Sequence, residues 1–248
     1  MSVEEISQQK TNHRYYVDSI IRVVDVAYPI MQVQDLDEQE KFLLAFGLRT
    51  SFKSDAALYM RGTGVEHTIY CAYKGMQKNF IGTAFRAESM SDLKKIALHE
   101  GVSVLKSKEP FGGYYCTLID LDGNRVDIVY GQHELVPIEE RKDGFLQKFL
   151  FSKSNRGYNF GKKENFQRFG SARFVDSEAV YGKMTHPHSS SPTPSRIKRF
   201  GHIVINVTDF EKCSMWYKER LGFVDSDTIS SPNDNEKVIG AFMRCKYS

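Results

Sequence analysis

Apolar and polar positions in this chain follow a pattern that recurs three times. Each copy has a strand-like apolar run, a carboxylate or hydroxyl residue, an amphipathic helical stretch and then a glycine. The copies are 28–48 (YPIMQVQDLDEQEKFLLAFGL), 82–102 (GTAFRAESMSDLKKIALHEGV) and 202–223 (HIVINVTDFEKCSMWYKERLGF). The first two superpose without a gap, placing Asp35 on Ser89, Leu36 on Met90 and Gly47 on Gly101; the third needs one inserted residue before Gly222. Internal repetition of this kind points to a modular fold. Asp35, Ser89 and Asp209 are the expected helix N-caps, because each side chain can accept from free N–H groups of the first turn. Glu38 and Asp92 stand three residues after their caps, where a capping box places an acid. Met90, Leu93, Ile96 and Ala97 form one helical stripe, and Gly101 is expected to end that helix in the left-handed region.

Alternating segments follow the helices. After the first come Ala57–Arg61 and 65–72; after the second come 102–105, 114–121 and Arg125–Tyr130. Asp122-Gly123-Asn124 between the last two predicts a tight hairpin, since Gly and Asn tolerate positive φ. Residues 22–131 therefore read as two copies of a βαβββ unit, preceded by an N-terminal extension at 1–21. Residues 132–197 read as a linker, with a helical candidate at 139–151, an irregular stretch at 155–182 rich in Gly, Lys, Asn and aromatics, and a Pro/Ser run at 186–195. A third unit occupies 198–248, with 238–245 matched to Ala57–Arg61 as its second strand and the last two strands lacking. The predicted class is α+β: repeated βαβββ units forming open half-barrel sheets, two complete and one partial.

Composition narrows the function classes. Hydrophobic residues make up 41% and charged residues 26%, values of a globular rather than a disordered chain. No apolar run approaches the roughly 20 residues needed to span a bilayer, and the N-terminus with Glu4 and Glu5 is not a secretory signal. The expectation is a cytoplasmic protein whose Cys71, Cys116, Cys213 and Cys245 stay reduced, in or near cores. The net charge of +3 conceals an uneven distribution: residues 132–199 carry 13 Lys+Arg against 7 Asp+Glu. Such a segment can be a solvated linker or can meet an acidic partner. No aromatic-and-basic pattern supports nucleic-acid binding.

Several stretches resemble one known family: DAALYM at 55–60, CTLIDLDGNRVDIVYG at 116–131 and SRIKRFGHIVINVTDFEKCSMWYKERLGFVDSD at 195–227. Together with the repeat they are similar to the vicinal oxygen chelate superfamily (glyoxalase, bleomycin resistance and dioxygenase proteins) and, within it, to the type I extradiol ring-cleaving dioxygenases. The resemblance covers about 22–131 and 196–247. It implies two domains of two βαβββ units each, the first metal-free, the second holding Fe(II) or sometimes Mn(II). It also implies O₂-dependent cleavage of a small, catechol-like aromatic diol. The metal of such an oxygenase is held by two imidazoles and a carboxylate on one face, leaving positions for substrate and O₂. Carried over residue by residue, the first of those imidazoles is His202. The second histidine, the carboxylate and the proton-handling histidine fall beyond Ser248, so the expectation is a ligand set completed by further sequence, completed by a second chain, or lost.

In the first domain, internal alignment puts Tyr28 and Gly82 at the histidine-equivalent positions and Asp127 at the carboxylate-equivalent one, a set without imidazole and a poor match to Fe(II) or Zn(II). Tyr28, Tyr59, His67, Tyr70, Tyr115 and Asp127 are candidate groove residues for a metal-free, small-molecule-binding alternative, with Asp127 read as a solvent-facing strand carboxylate. His67 reads as structural, and His202 either as a ligand or as a strand histidine held by hydrogen bonds. His186 and His188 have ligand spacing inside a Ser/Pro linker, where only adventitious metal is expected. Trp216 and Tyr217 read as core anchors. An open edge near Ile239 and Phe242 is an association hazard, which predicts a dimer, hence a homo-oligomer, or a partly disordered C-terminal segment.

Overall fold

The computed structural model describes residues 18–109, 111–138 and 197–245. The helical candidate at 139–151, the Pro/Ser run with His186 and His188, and most of the N-terminal extension lie outside the described residues.

The strands are β1 (Asp25–Val33), β2 (Arg49–Lys53), β3 (Ala57–Arg61), β4 (Tyr70–Lys74), β5 (Asn79–Arg86), β6 (Leu105–Lys106), β7 (Tyr114–Ile119), β8 (Arg125–Tyr130), β9 (Val224–Ser231) and β10 (Asp234–Arg244). The helices are α1 (Leu36–Phe46), α2 (Met90–His99) and α3 (Phe210–Leu221). Strands β1 to β8 form one sheet in the order β2-β3-β4-β1-β5-β8-β7-β6, and β9 pairs with β10 in a separate hairpin. Within each of the first two repeats, the opening strand lies beside the closing one: β1 beside β4, and β5 beside β8, the latter in parallel. The class is α+β with an open half-barrel sheet, as the repeat predicts.

The described residues divide into two compact units, one of 18–30, 80–133 (Pro110 apart) and 201–245, the other of 31–79, 134–138 and 197–200. In the second of these, α1 starts at Asp35, whose Oδ1 accepts from Asp37 N at 2.8 Å and Glu38 N at 3.0 Å. The helix ends at Gly47, whose φ of 114° lies in the left-handed region. Its Leu36 and Leu43 pack with Val33, Leu48, Leu58, Met60, Ile69 and Ala72 into one core. Alternation then sends Ala57, Tyr59 and Arg61 to the opposite face of β3.

In the other unit Ser89 caps α2 by accepting from Asp92 N at 3.0 Å, and its hydroxyl donates back to Asp92 Oδ2 at 2.8 Å. Leu93, Ile96 and Ala97 are buried on the stripe expected of them, and the helix lies against β7 and β8. Cys116 and Leu118 pair in register with Ile128 and Val126, and all four are buried. Gly123 turns the β7–β8 hairpin at φ 83°. Cys71, Cys116 and Cys213 are buried and Cys245 is half-buried, in or near cores as expected. Burial first, then the Asp127 and Glu100 charges, push the Cys116 thiol up to about 12.

Five sequence expectations change, one being that the strand predicted at 102–105 forms only as the two-residue β6, Leu105–Lys106. Strand β2 was absent from them, because RTSFK at the sheet edge has polar residues on both faces and no clean alternation. The strand predicted at 65–72 forms only from Tyr70, after an irregular stretch at 62–69. The opening strand predicted for the third repeat, 202–207, joins no ladder among the described residues; an apolar run becomes a strand only where another strand satisfies its backbone. Finally, 238–244 is part of the long β10, which begins at Asp234 and whose hairpin partner β9 follows directly from α3.

Candidate functional site

The candidate residues fall into two sets, each on its own unit. In the unit containing β5, β7 and β8, residues Tyr115, Thr117 and Ile119 pair with Val129, Asp127 and Arg125, on the face away from the buried Cys116 and Leu118. Asp127 sits at the centre. Arg125 grips it with two nitrogens, Nε to Oδ1 and Nη2 to Oδ2, both at 2.8 Å. Thr117 Oγ1 donates to Oδ1 at 2.7 Å. Asp127 is only 4% exposed, so the expectation of a solvent-facing carboxylate is corrected: a two-pronged ion pair compensates its loss of water. Tyr28, on β1, is buried.

The same face shows why an imidazole has no place at 82. Gly82 lies opposite Arg125 in the parallel ladder, and Ala84 opposite Asp127. A Cβ built on Gly82 would stand 1.8 Å from Arg125 O, which no side chain tolerates without moving backbone. The histidine-equivalent position is closed by strand packing, and the carboxylate-equivalent one is occupied by a guanidinium. Arg125 and Thr117 were missed in sequence. Arg125 had a legible signal, an opposite charge two positions away on one strand face; Thr117 depends on the register of a neighbouring strand.

In the other unit, Tyr59 is 4% exposed and faces away from α1. Its hydroxyl lies 3.3 Å from that of Tyr73, the rings meeting edge-on with centroids 6.4 Å apart. Phe52 is tilted against Tyr59 at 6.1 Å. Tyr73 was not a candidate, although its pairing with Ala57 puts it on the face of Tyr59. Tyr70 goes the other way: it pairs with Met60 and packs against the core beneath α1. Burial pushes its phenol up to about 12. His67 is 4% exposed, with Nδ1 at 2.7 Å from Thr68 Oγ1. Tyr59 therefore groups with Tyr73 and Phe52 rather than with Tyr70.

His202 is exposed on the irregular stretch that leads to α3. The helix itself is firmly seated. Asp120, 7% exposed, accepts from Tyr217 Oη at 2.9 Å and from Asp122 N, Asn124 N and Asn124 Nδ2. Asp122 accepts from the N–H and hydroxyl of Thr208, which hold its carboxyl below the usual range. Trp216 and Tyr217, the expected anchors, are 6% and 5% exposed. Phe223 stacks on Tyr217 and meets Phe85 edge-on at 5.3 Å. Among the described residues no three His, Cys, Asp or Glu side chains converge on a common point. The described donors thus do not by themselves fit Fe(II) or Mn(II).

No family model and no curated protein matches this chain. Among solved structures it is similar to the Mn(II)-bound glyoxalase from Novosphingobium aromaticivorans, at 19% identity and TM-score 0.44, over 49% of this chain and 43% of that one. It is also similar to homoprotocatechuate 2,3-dioxygenase from Brevibacterium fuscum in its complex with 3,4-dihydroxyphenylacetate, at 19% identity and TM-score 0.43, over 51% and 42%. A variant of that dioxygenase matches at 20% identity and TM-score 0.42, over 51% and 38%. The chain spans less than half the length of each. No helix among the described residues is long and apolar enough to cross a membrane. The strand order, with two βαβββ repeats set opening strand beside closing strand, is itself the evidence for the fold, an open sheet of the vicinal oxygen chelate type.

Proposed function

We propose that the chain is of the extradiol dioxygenase lineage, with residues 22–131 a metal-free half and His202, at the head of the third repeat from 198 onward, one ligand of an Fe(II) site. The complete form would cleave the ring of a catechol-like aromatic diol with O₂. The observation that carries this reading is the division between the repeats. In the second repeat the ligand-equivalent positions are closed, by strand contact at Gly82 and by the Arg125 clasp at Asp127. In the third, the equivalent position holds an exposed imidazole. The remaining donors come from outside the described residues.

The test is anaerobic Fe(II) binding by the purified 248-residue chain beside His202→Ala, with catechol turnover followed on admitting air. The expected outcome is one iron per chain, lost in the variant, with a yellow ring-opened product from the wild type. Failure to bind iron overturns the metal reading for this chain.

A second reading is favoured by the Tyr59–Tyr73 pair: a metal-free module that holds a flat aromatic molecule against repeat one. A buried and a half-buried tyrosine whose hydroxyls are in mutual contact suit a phenol or diol, since they offer ring edges together with hydroxyls able to donate or accept. Binding of catechol that survives chelator and is lost in Tyr59→Ala, with Tyr73→Ala as its companion, supports this module. Binding that needs iron, or that ignores both substitutions, counts against it.

A further inference from the structure

Helix α3 ends differently from α1 and α2. The last carbonyls of a helix have no partner within it and must find one outside. In α1 and α2 the donors are local: Leu48 N reaches Leu43 O, while Glu100 N, Gly101 N and Val102 N reach Ile96 O, Leu98 O and Ala97 O. In α3, Gly222 N turns back in the same way to Lys218 O at 3.0 Å. The next three carbonyls instead accept from the beginning of the described chain. Glu219 O takes Ile20 N at 2.7 Å, Arg220 O takes Ile21 N at 3.2 Å, and Leu221 O takes Val23 N at 3.0 Å.

The donating stretch is firmly seated. Ile21 is 3% and Val23 0% exposed, with Arg22 exposed between them, the alternation of an extended segment with one face inward. Val24 N then bonds Arg86 O, the last residue of β5, at 2.9 Å. Residues 18–24 thus run from the C-terminal end of α3 to the sheet.

The two glycines that follow α2 and α3 show what this stretch requires. Gly101 and Gly222 have φ of 66° and 70°. A Cβ on Gly101 would meet nothing within 4 Å. On Gly222 it would stand 2.8 Å from Ile21 O, 2.7 Å from Arg22 Cγ and 2.9 Å from Ser19 Oγ. Gly101 serves its left-handed conformation alone, whereas Gly222 must also leave room for 18–24.

We propose that residues 18–24 are a strap that latches the C-terminal half of α3, giving the third repeat a latched and a released state. The other anchors of the helix lie at Thr208 and Tyr217, so release of the strap unfastens the last turn first. Strap and last turn satisfy backbone groups in each other, and they therefore open together. This holds whatever the stretch carrying His202 binds.

Hydrogen exchange read by mass spectrometry on the full chain tests the latch, with peptides covering 18–24 and 210–222. In the wild type, the Ile20, Ile21 and Val23 amides should exchange as slowly as those of the last turn of α3. Gly222→Asn keeps a residue that tolerates the left-handed region but adds a Cβ where the strap lies. It should speed exchange in both peptides by about tenfold or more, while Gly101→Asn leaves both unchanged. Should circular dichroism show that Gly222→Asn does not fold, Ile21→Ala with Val23→Ala loosens the latch from the strap's side and should accelerate both peptides likewise. Wild-type strap amides that exchange as fast as an unstructured peptide overturn the proposal. So does a folded variant in which the last turn of α3 keeps its protection, because 18–24 would then be a passenger on the helix. Equal acceleration by Gly101→Asn overturns it as well, since the effect would belong to losing a glycine and not to the strap.

Discussion

At Asp127 a carboxylate that sequence placed in water is almost wholly withdrawn from it, held by one guanidinium and one hydroxyl. Removing the guanidinium alone leaves a buried, uncompensated charge. Arg125→Met is therefore expected to cost about 2–4 kcal/mol by urea unfolding, reduced from the fully buried case because Arg125 is partly exposed. The double variant with Asp127→Asn should recover much of that loss, and a cycle showing no coupling would refute the clasp. Tyr217→Phe is a milder change. Asp120 keeps three other donors, so the loss should be about 1 kcal/mol. The candidate site was only partly legible at this scale. Tyr59 and Asp127 could be selected by residue type, but Tyr73, Thr117 and the inward turn of Tyr70 depend on which residues stand opposite one another across strands.

Two element-level contacts control how strands and helices meet. Strand β5 approaches β8 so closely at Gly82 that a methyl group has nowhere to go. Gly82→Ala should cost roughly 3 kcal/mol or more, read from the urea midpoint, because backbone rather than a flexible side chain must yield. The second contact joins α3 to the β7–β8 turn through Asp122 and Thr208. The folded-state pKa of Asp122 is lowered, first by these hydrogen bonds. A depressed carboxylate contributes stability that is present above its unfolded value and is lost as pH falls through the folded one. Unfolding midpoints should therefore drop in the acid range below the ordinary aspartate pKa of about 3.9, and Asp122→Asn should flatten that part of the profile. The helices were legible from sequence because caps are local: Asp35, Ser89 and Asp209 each bond to N–H groups within three residues. Edge strand β2 was not, since RTSFK carries no buried face to impose period two.

For the molecule as a whole, helix α3 does not stand apart from the repeat it adjoins: Phe223 meets Phe85, Tyr217 bonds Asp120 at the β7–β8 turn, and the buried Trp216 packs edge-on against Tyr217. Trp216→Ala, which empties a large buried volume, should cost about 3–5 kcal/mol. It should also lower hydrogen-exchange protection in β7 and β8 as well as in α3; loss confined to α3 would show that the two do not unfold together. Sequence by itself determined the repeat, the three capped helices, the β7–β8 turn and the α+β class. All of these follow from periodicity and from bonds between residues close along the chain. Tertiary structure decided the rest: the pairing of opening with closing strands, the closure of Gly82 against Arg125, the burial of Asp127 and the side of the sheet that Tyr70 faces. Those depend on register and on distances between residues far apart in the chain, which a one-dimensional pattern constrains only through the fold it produces.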